Sequence, residues 1–408
     1  MLKEIWINKL IACVNPENIF QHVRELEGIR HPLKTPEALE KAADYIKKEF
    51  KNYSLAASEH QFYLDGFKKP FRNIQASLSG KEDKRPILLI TSHYDTVRES
   101  PGANDNASGT AVMLEAARVL KLNALSRDIP LDVRFVSFTL EEAYPEETIH
   151  NAVALWQGNF RVRRYKLISM IKQIKSLALY TINIAQAKEK AFSLLDHYKK
   201  ILTKAEQREF KEITNLIFDY RENRQKIAGK YTLVGSLKYL EHLKNASIEG
   251  IINLETIGCT RKDRHSQKLP RYLYPPLLRL LGRLKSHHTR WSLDRGDWIA
   301  VISNLNSSKL GKLFYRQTKR KKINLPATWL HVPLNFRQIA RYMPDLLRSD
   351  QASFWKHGHP GLLITDTANF RYPYYHTRAD TYEKCDFDFM TKICRAVAAT
   401  VAEMIFLK

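Results

Sequence analysis

Four short apolar runs in this chain end in polar or ionisable residues, and no other feature limits the fold as tightly. They are "RPILLITSHYD" (85–95), "LDVRFVSFTLEE" (131–142), "IEGIINLETIG" (248–258) and "HPGLLITDT" (359–367). A continuous apolar run of about 4–8 residues bounded by turn signals reads as a strand buried on both faces. Helical periodicity fills the intervals. "PEALEKAADYIKKEF" (36–50) has Thr35 as N-cap and Pro36 at its first helical position, and "SGTAVMLEAARVLKL" follows the first run. Strands alternating with helices predict an α/β sheet covered on both faces, a three-layer α/β/α arrangement.

One segment breaks that rhythm. From Trp156 to Lys230 there is no proline, and glycine occurs only at Gly158 and Gly229. The spacing predicts an inserted pair of helices over 156–230, leaving 1–155 and 231–408 as the main domain. The insertion holds 17 Lys/Arg against 7 Asp/Glu, a disproportionate share of a net charge of +23. A basic surface of this size suits nucleic acid or an anionic membrane, but no recognition motif accompanies it, so no nucleic-acid partner is expected. Region 260–345, rich in Arg, Lys, Tyr and Pro, reads as irregular cover.

No apolar run approaches the ~20 residues of a membrane-spanning helix. The N-terminal "MLKEIWINKLIACVNP" is too short and too interrupted for a signal sequence. It predicts a docked amphipathic helix using Leu2, Ile5, Trp6, Leu10 and Cys13, with the cytoplasm as the expected compartment. Cys13, Cys259, Cys385 and Cys394 lack C-x-x-C spacing, which points away from a disulfide framework or a thiolate zinc site.

Open α/β sheets place ligands at the C-terminal ends of their strands. The residues collected there, with a later loop, are His93, Asp105, Glu141, Glu142, Glu255 and His376. Each alone has a structural explanation, such as a buried histidine, a helix-entry cap or a solvated acidic pair. Together they offer nitrogen and carboxylate oxygen, the donors zinc takes when thiolates are absent. A pair of ions about 3.5–4 Å apart needs a shared carboxylate, and this set supplies one with an acid left over to carry protons.

The motifs "SHYDT", "PGANDNASGTAVMLEAARVL", "VSFTLEE", "VGSLKYL", "INLETIG", "RSDQASFWKHGHPGLLITDT" and "FRYPYYHTRADT" resemble, in order and spacing, those of the co-catalytic two-zinc aminopeptidases. That family also includes glutamate carboxypeptidases and glutaminyl cyclases. The resemblance implies a central mixed, mostly parallel sheet and two zinc ions per chain. It implies that His93 and Glu255 bind one ion, Glu142 and His376 the other, and that Asp105 bridges them. Glu141 would be the general base, and Asp95 would orient His93. Tyr375 would either donate a hydrogen bond to the tetrahedral oxyanion or simply pack. A cis Asp105–Asn106 peptide is also implied.

Three departures stand out. Glu255 occupies a position that is usually aspartate, Gln351 stands where histidine is common, and the insertion begins about a dozen residues after Glu142. The expected reaction is hydrolysis of N-terminal peptide bonds of short peptides. The insertion would then serve as a lid over the site or as a homodimer contact. A glutaminyl cyclase-like acyltransferase, a carboxypeptidase, or a non-catalytic binding protein on the same scaffold are the alternatives.

Overall fold

The computed structural model describes residues 2–64, 69–79, 85–123, 129–142, 184–200, 232–244, 246–268, 284–286 and 294–407, with Phe67 and scattered positions between 173 and 218. The chain divides into two units, Met1–Glu142 with Leu233–Lys408, and Ala143–Thr232.

In the first unit nine strands form one sheet: β1 (Ala56–Phe62), β2 (Phe71–Ser77), β3 (Ile87–His93), β4 (Asp132–Phe138), β5 (Ile248–Glu255), β6 (Leu284–Ser286), β7 (Ile299–Ser303), β8 (Ala327–His331) and β9 (Gly361–Thr365), in the order β1-β2-β4-β3-β5-β9-β7-β8-β6. The four apolar runs become β4, β3, β5 and β9, which lie side by side and parallel, with antiparallel pairings on both flanks. Their residues alternate between two cores, as a period-2 backbone requires. Leu88, Ile90, Val133, Phe135, Ile252 and Leu254 face one core, and Ile87, Leu89, Val136, Phe138 and Ile251 face the other.

The first face is covered by α1 (Leu2–Ala12), α2 (Pro16–Leu26), α3 (Pro36–Asn52), α4 (Ser108–Leu122), α7 (Ser308–Thr318) and α10 (Phe387–Leu407); α6 (Val234–His242), α8 (Phe336–Tyr342) and α9 (Gln351–Lys356) lie on the second. The three-layer expectation holds. From β3 the chain crosses through α4 to β4 on one side, and β5 then pairs on the other side, so the strand order reverses at β3. That reversal leaves a crevice at the strand ends.

Three local readings change. In α1, Ile5 is exposed while Ile7, Leu10 and Ile11 are buried, because the helix docks against α10 and α4 together rather than on one narrow stripe. Thr35 precedes α3 but makes no capping bond; its hydroxyl donates to Ile29 O at 2.6 Å and accepts from His31 N–H at 3.0 Å. Region 260–345 is not merely irregular cover, since it contributes β7, α7 and β8. β7 and β8 are only five residues long and include Ser303, Thr328 and His331, and the basic residues around them dilute the signal.

In the second unit, α5 (Ile184–Tyr198) buries Ala187, Ala191 and Leu195, four residues apart on one face. The rest of the helical hairpin expected over 156–230 lies largely outside the described residues.

Candidate metal centre

His93 is the last residue of β3, and Glu255 the last of the neighbouring β5. Their side chains meet, with Nε2 of His93 3.4 Å from Glu255 Oε1. After β3 the chain turns at Pro101-Gly102. Gly102 has φ +65°, and a Cβ there would collide with Asp105 O and Thr96 Cγ2, so glycine is required on both counts. The turn delivers Asp105 ahead of α4, and the Asp105–Asn106 peptide is cis. One Asp105 oxygen lies 3.3 Å from His93 Nε2 and the other 3.1 Å from His376 Nε2.

Beyond β4, Leu140 takes the left-handed conformation (φ 55°) and Glu141 and Glu142 follow. Asp95 fixes this pair: its carboxylate oxygens accept the backbone N–H groups of Glu141 at 3.2 Å and Glu142 at 3.0 Å. The same carboxylate lies 3.5 Å from His93 Nδ1, and the Asp95 carbonyl oxygen lies 3.2 Å from that nitrogen. Glu142 Oε1 is 3.1 Å from His376 Nε2, and Glu141 Oε2 is 3.8 Å from His93 Nε2. All six residues named from the strand ends and the later loop therefore converge. Three overlapping groups could hold a metal ion: His93–Asp105–Glu255, His93–Glu141–Glu142 and Asp105–Glu142–His376.

The electrostatics are those of a cation site. Burial pushes the Glu141 carboxyl up; His93 opposes this, while Glu255 and Glu142 add to it. Glu142 is pushed up to about 7 by burial, with Asp105 adding and His376 opposing. Burial would lower both imidazoles, yet the surrounding carboxylates outweigh it and raise them. Both Asp105 oxygens and His376 Nε2 are buried and lack a properly directed hydrogen bond, although their neighbours lie within 3.3 Å. Orphaned buried acceptors facing one another fit metal ions better than they fit each other.

Two supporting residues, Asp380 and Ser349, escaped the sequence reading. Asp380, four residues after His376, accepts N–H from Asn104 at 2.8 Å and Asp105 at 3.1 Å, and the Tyr372 hydroxyl at 2.8 Å. Ser349 donates to Glu255 Oε2 at 2.6 Å and accepts from Asn253, which receives the Thr91 hydroxyl. Gln351 stands behind Asn253, its Nε2 bound to Leu346 O. Tyr375 stacks on His376 with ring centroids 3.8 Å apart and accepts a hydrogen bond from Arg348 Nη2 at 2.8 Å. Both Asp380 and Ser349 lay inside the quoted motifs; nothing in one sequence marks a second layer of contacts.

The model of peptidase family M28 matches residues 73–275 and 303–401, well over half of the chain. The chain belongs to peptidase family M28. As a member it is a metallopeptidase, and its metal-competent cluster lies within the matched residues. Among relatives, it is 22% identical to the uncharacterized protein YfbL of Escherichia coli (strain K12), across 96% of this chain and 90% of that one. Over 101 residues it is 44% identical to aminopeptidase YwaD of Bacillus subtilis (strain 168), covering 24% of this chain and 21% of YwaD. The crystal structure of the LapA aminopeptidase of Legionella pneumophila shares the fold, with TM-score 0.57 at 15% identity over 98% of this chain and 75% of that one.

Proposed function

We propose that this M28 peptidase is a zinc-dependent aminopeptidase acting on short peptides, with two ions per chain. His93, Asp105 and Glu255 would hold one, and Asp105, Glu142 and His376 the other. The observation that carries this is Asp105, whose two oxygens face separate histidines at 3.3 and 3.1 Å. Relatives named aminopeptidase and probable zinc metalloprotease support the choice of reaction and metal.

When bound, zinc supplies a Lewis acid for the scissile carbonyl and lowers the pKa of water toward ~7. The chain's own residues do the rest. Glu141, held by its backbone to Asp95, takes a proton from the attacking water as the new C–O bond forms. It returns that proton to the amine nitrogen as the C–N bond breaks, releasing an amino acid and a shortened peptide. Tyr375 donates its O–H to the developing oxyanion while Arg348 holds its oxygen from the other side. Glu141 and Glu255 form the acidic wall that receives the substrate's α-ammonium.

The test is metal content coupled to parallel assays of aminoacyl-anilide hydrolysis and pyroglutamate formation. Two zinc equivalents with hydrolysis that a chelator abolishes and zinc restores is the expected result. Cyclisation without hydrolysis overturns the aminopeptidase reading, and a chain with no zinc affinity overturns the metal assignment. The basic insertion leaves the catalytic unit after Glu142 and returns at Leu233, whose N–H donates to Glu141 O at 3.1 Å. Deleting it separates its two proposed roles: a shift in the size limit of cleaved peptides marks a substrate gate, and a change in oligomeric state alone marks a pairing element.

A further inference from the structure

The basic excess of the chain is not confined to the insertion. Between Asp297 and Asp345 the sequence runs for 47 residues with nine Lys/Arg and no Asp or Glu. Seven of those cations fall on α7 and the turn that follows it, residues 308–322. α7 buries Leu310, Phe314 and Tyr315, while Lys309, Lys312, Arg316 and Lys319 recur every three or four residues and are exposed, which places them along one face. Lys321 and Lys322 are exposed just beyond. A helix face that is merely solvated mixes both signs: α3, in the same layer, carries four lysines and four carboxylates.

The arginines of this patch are spent inside the molecule and the lysines are not. Arg320 donates to the two Glu4 oxygens at 2.6 and 3.1 Å, and Arg316 and Lys3 lie 3.1 and 2.7 Å from Glu403 Oε1. Lys319 Nζ lies 4.5 Å from the centre of the Tyr315 ring. Lys309, Lys312, Lys321 and Lys322 make no ion pair among the described residues. The Arg320–Glu4 pair also joins α1 to the patch. Ile5, the next residue, is 58% exposed, and Trp6 after it donates its indole N–H to Asn123 O at 2.9 Å, beside Leu122, which is 67% exposed.

Lysine is a flexible point charge suited to a diffuse array of phosphates, whereas nucleic acid is gripped by arginine forks and stacked aromatic rings. Here both arginines are engaged, and the exposed aromatics among the described residues, Tyr63, Tyr342 and Tyr374, lie on none of α1, α4 and α7. Unpaired lysines bordered by exposed aliphatic side chains fit a layer of anionic lipid headgroups. We propose that the face formed by α7, α1 and the end of α4 docks on an anionic phospholipid surface, with the four lysines at the headgroup phosphates and Ile5 and Leu122 as its apolar edge. This surface is independent of the reaction proposed above.

The experiment is co-sedimentation of the full chain with vesicles of phosphatidylcholine, alone or mixed with phosphatidylglycerol. At about 0.1 M salt the mixed vesicles should bind about a hundredfold more tightly, and about 0.5 M salt should abolish the difference. Replacing Lys309, Lys312, Lys321 and Lys322 together by Gln should weaken that binding on the order of a hundredfold, since each cation at such a surface contributes about fivefold. All four positions are exposed, and an unchanged thermal melt checks the fold. Ile5→Ser should cost about fivefold and leave the salt dependence standing. Equal binding to the two kinds of vesicle overturns the inference. So does full binding by the four-lysine variant, which would move the contact to the insertion or to another basic surface. Tighter, lysine-dependent binding to an oligonucleotide than to the vesicles overturns it in favour of nucleic acid.

Discussion

His93 and Glu255 stand on adjacent parallel strands, whereas Glu142 and His376 hang from loops. β3 is hydrogen-bonded along both edges, to β4 and β5, so the position of His93 is set by backbone ladders on either side. His376 is held quite differently. Its backbone is left-handed (φ 60°), a conformation costing a non-glycine residue about 1 kcal/mol or more, and its loop is tied down by side chains. Asp380 binds the Asn104–Asp105 backbone from within, and the exposed Arg378 pairs with Glu99 on the loop between His93 and Asp105. One half of the centre is thus anchored by the sheet. The other depends on contacts that can be broken one at a time, so the two ions proposed above should exchange unequally.

Glu141→Gln is the sharpest break, because in the proposed mechanism this residue carries the proton for both halves. We expect kcat to fall about a thousandfold or more with both zinc equivalents retained, as checked by steady-state rates and metal analysis. Asp105→Ala should remove the common ground of the two halves, losing both equivalents and at least a hundredfold in rate. Loss of a single equivalent would show that the halves are independent and the bridge unnecessary.

Acid separates the scaffold from the site. His22, between the hydroxyls of Tyr45 and Tyr53, is pushed down to about 4 by burial and then by the charge of Arg118. Between about pH 6.5 and pH 4 the unfolded chain binds a proton that the folded chain refuses. Stability should therefore fall with pH across that window, by on the order of 3 kcal/mol. Urea midpoints at pH 7 and pH 4.5 would show this slope, and His22→Asn should reduce it, leaving the share of His31 and His60, which burial also pushes down to about 4. Chelation addresses the halves directly. Zinc release should be biphasic, with rates about tenfold apart, and His376→Ala should erase the fast phase; a single phase would dissolve the distinction between the halves. Smallest of all, Glu99→Gln should quicken the fast phase by no more than about fivefold, since exposed ion pairs contribute little.

The four central strands and their polar ends were legible in the sequence because uninterrupted apolar runs leave a buried strand little alternative. The cluster was legible for a related reason: metal-competent side chains recur at those ends in a fixed order. The short strands β7 and β8 were not, since four and three apolar residues among many basic neighbours fall below the noise. The burial of Ile7 and Ile11 rather than Ile5 was equally hidden, because two neighbouring helices decide which face of α1 is covered.

By itself, the order of residues determined an α/β sheet and the six side chains at its rim. Apolar runs and ligand types are local properties and survive in one dimension. Only the tertiary structure decided which oxygen of Asp105 faces which histidine, that Asp95 holds the backbone of both glutamates, and that Ser349, Asp380 and Arg348 stand behind or beside them. Those contacts join segments tens to hundreds of residues apart, with directions set by the crossing of strands and loops. No spacing along the chain encodes them.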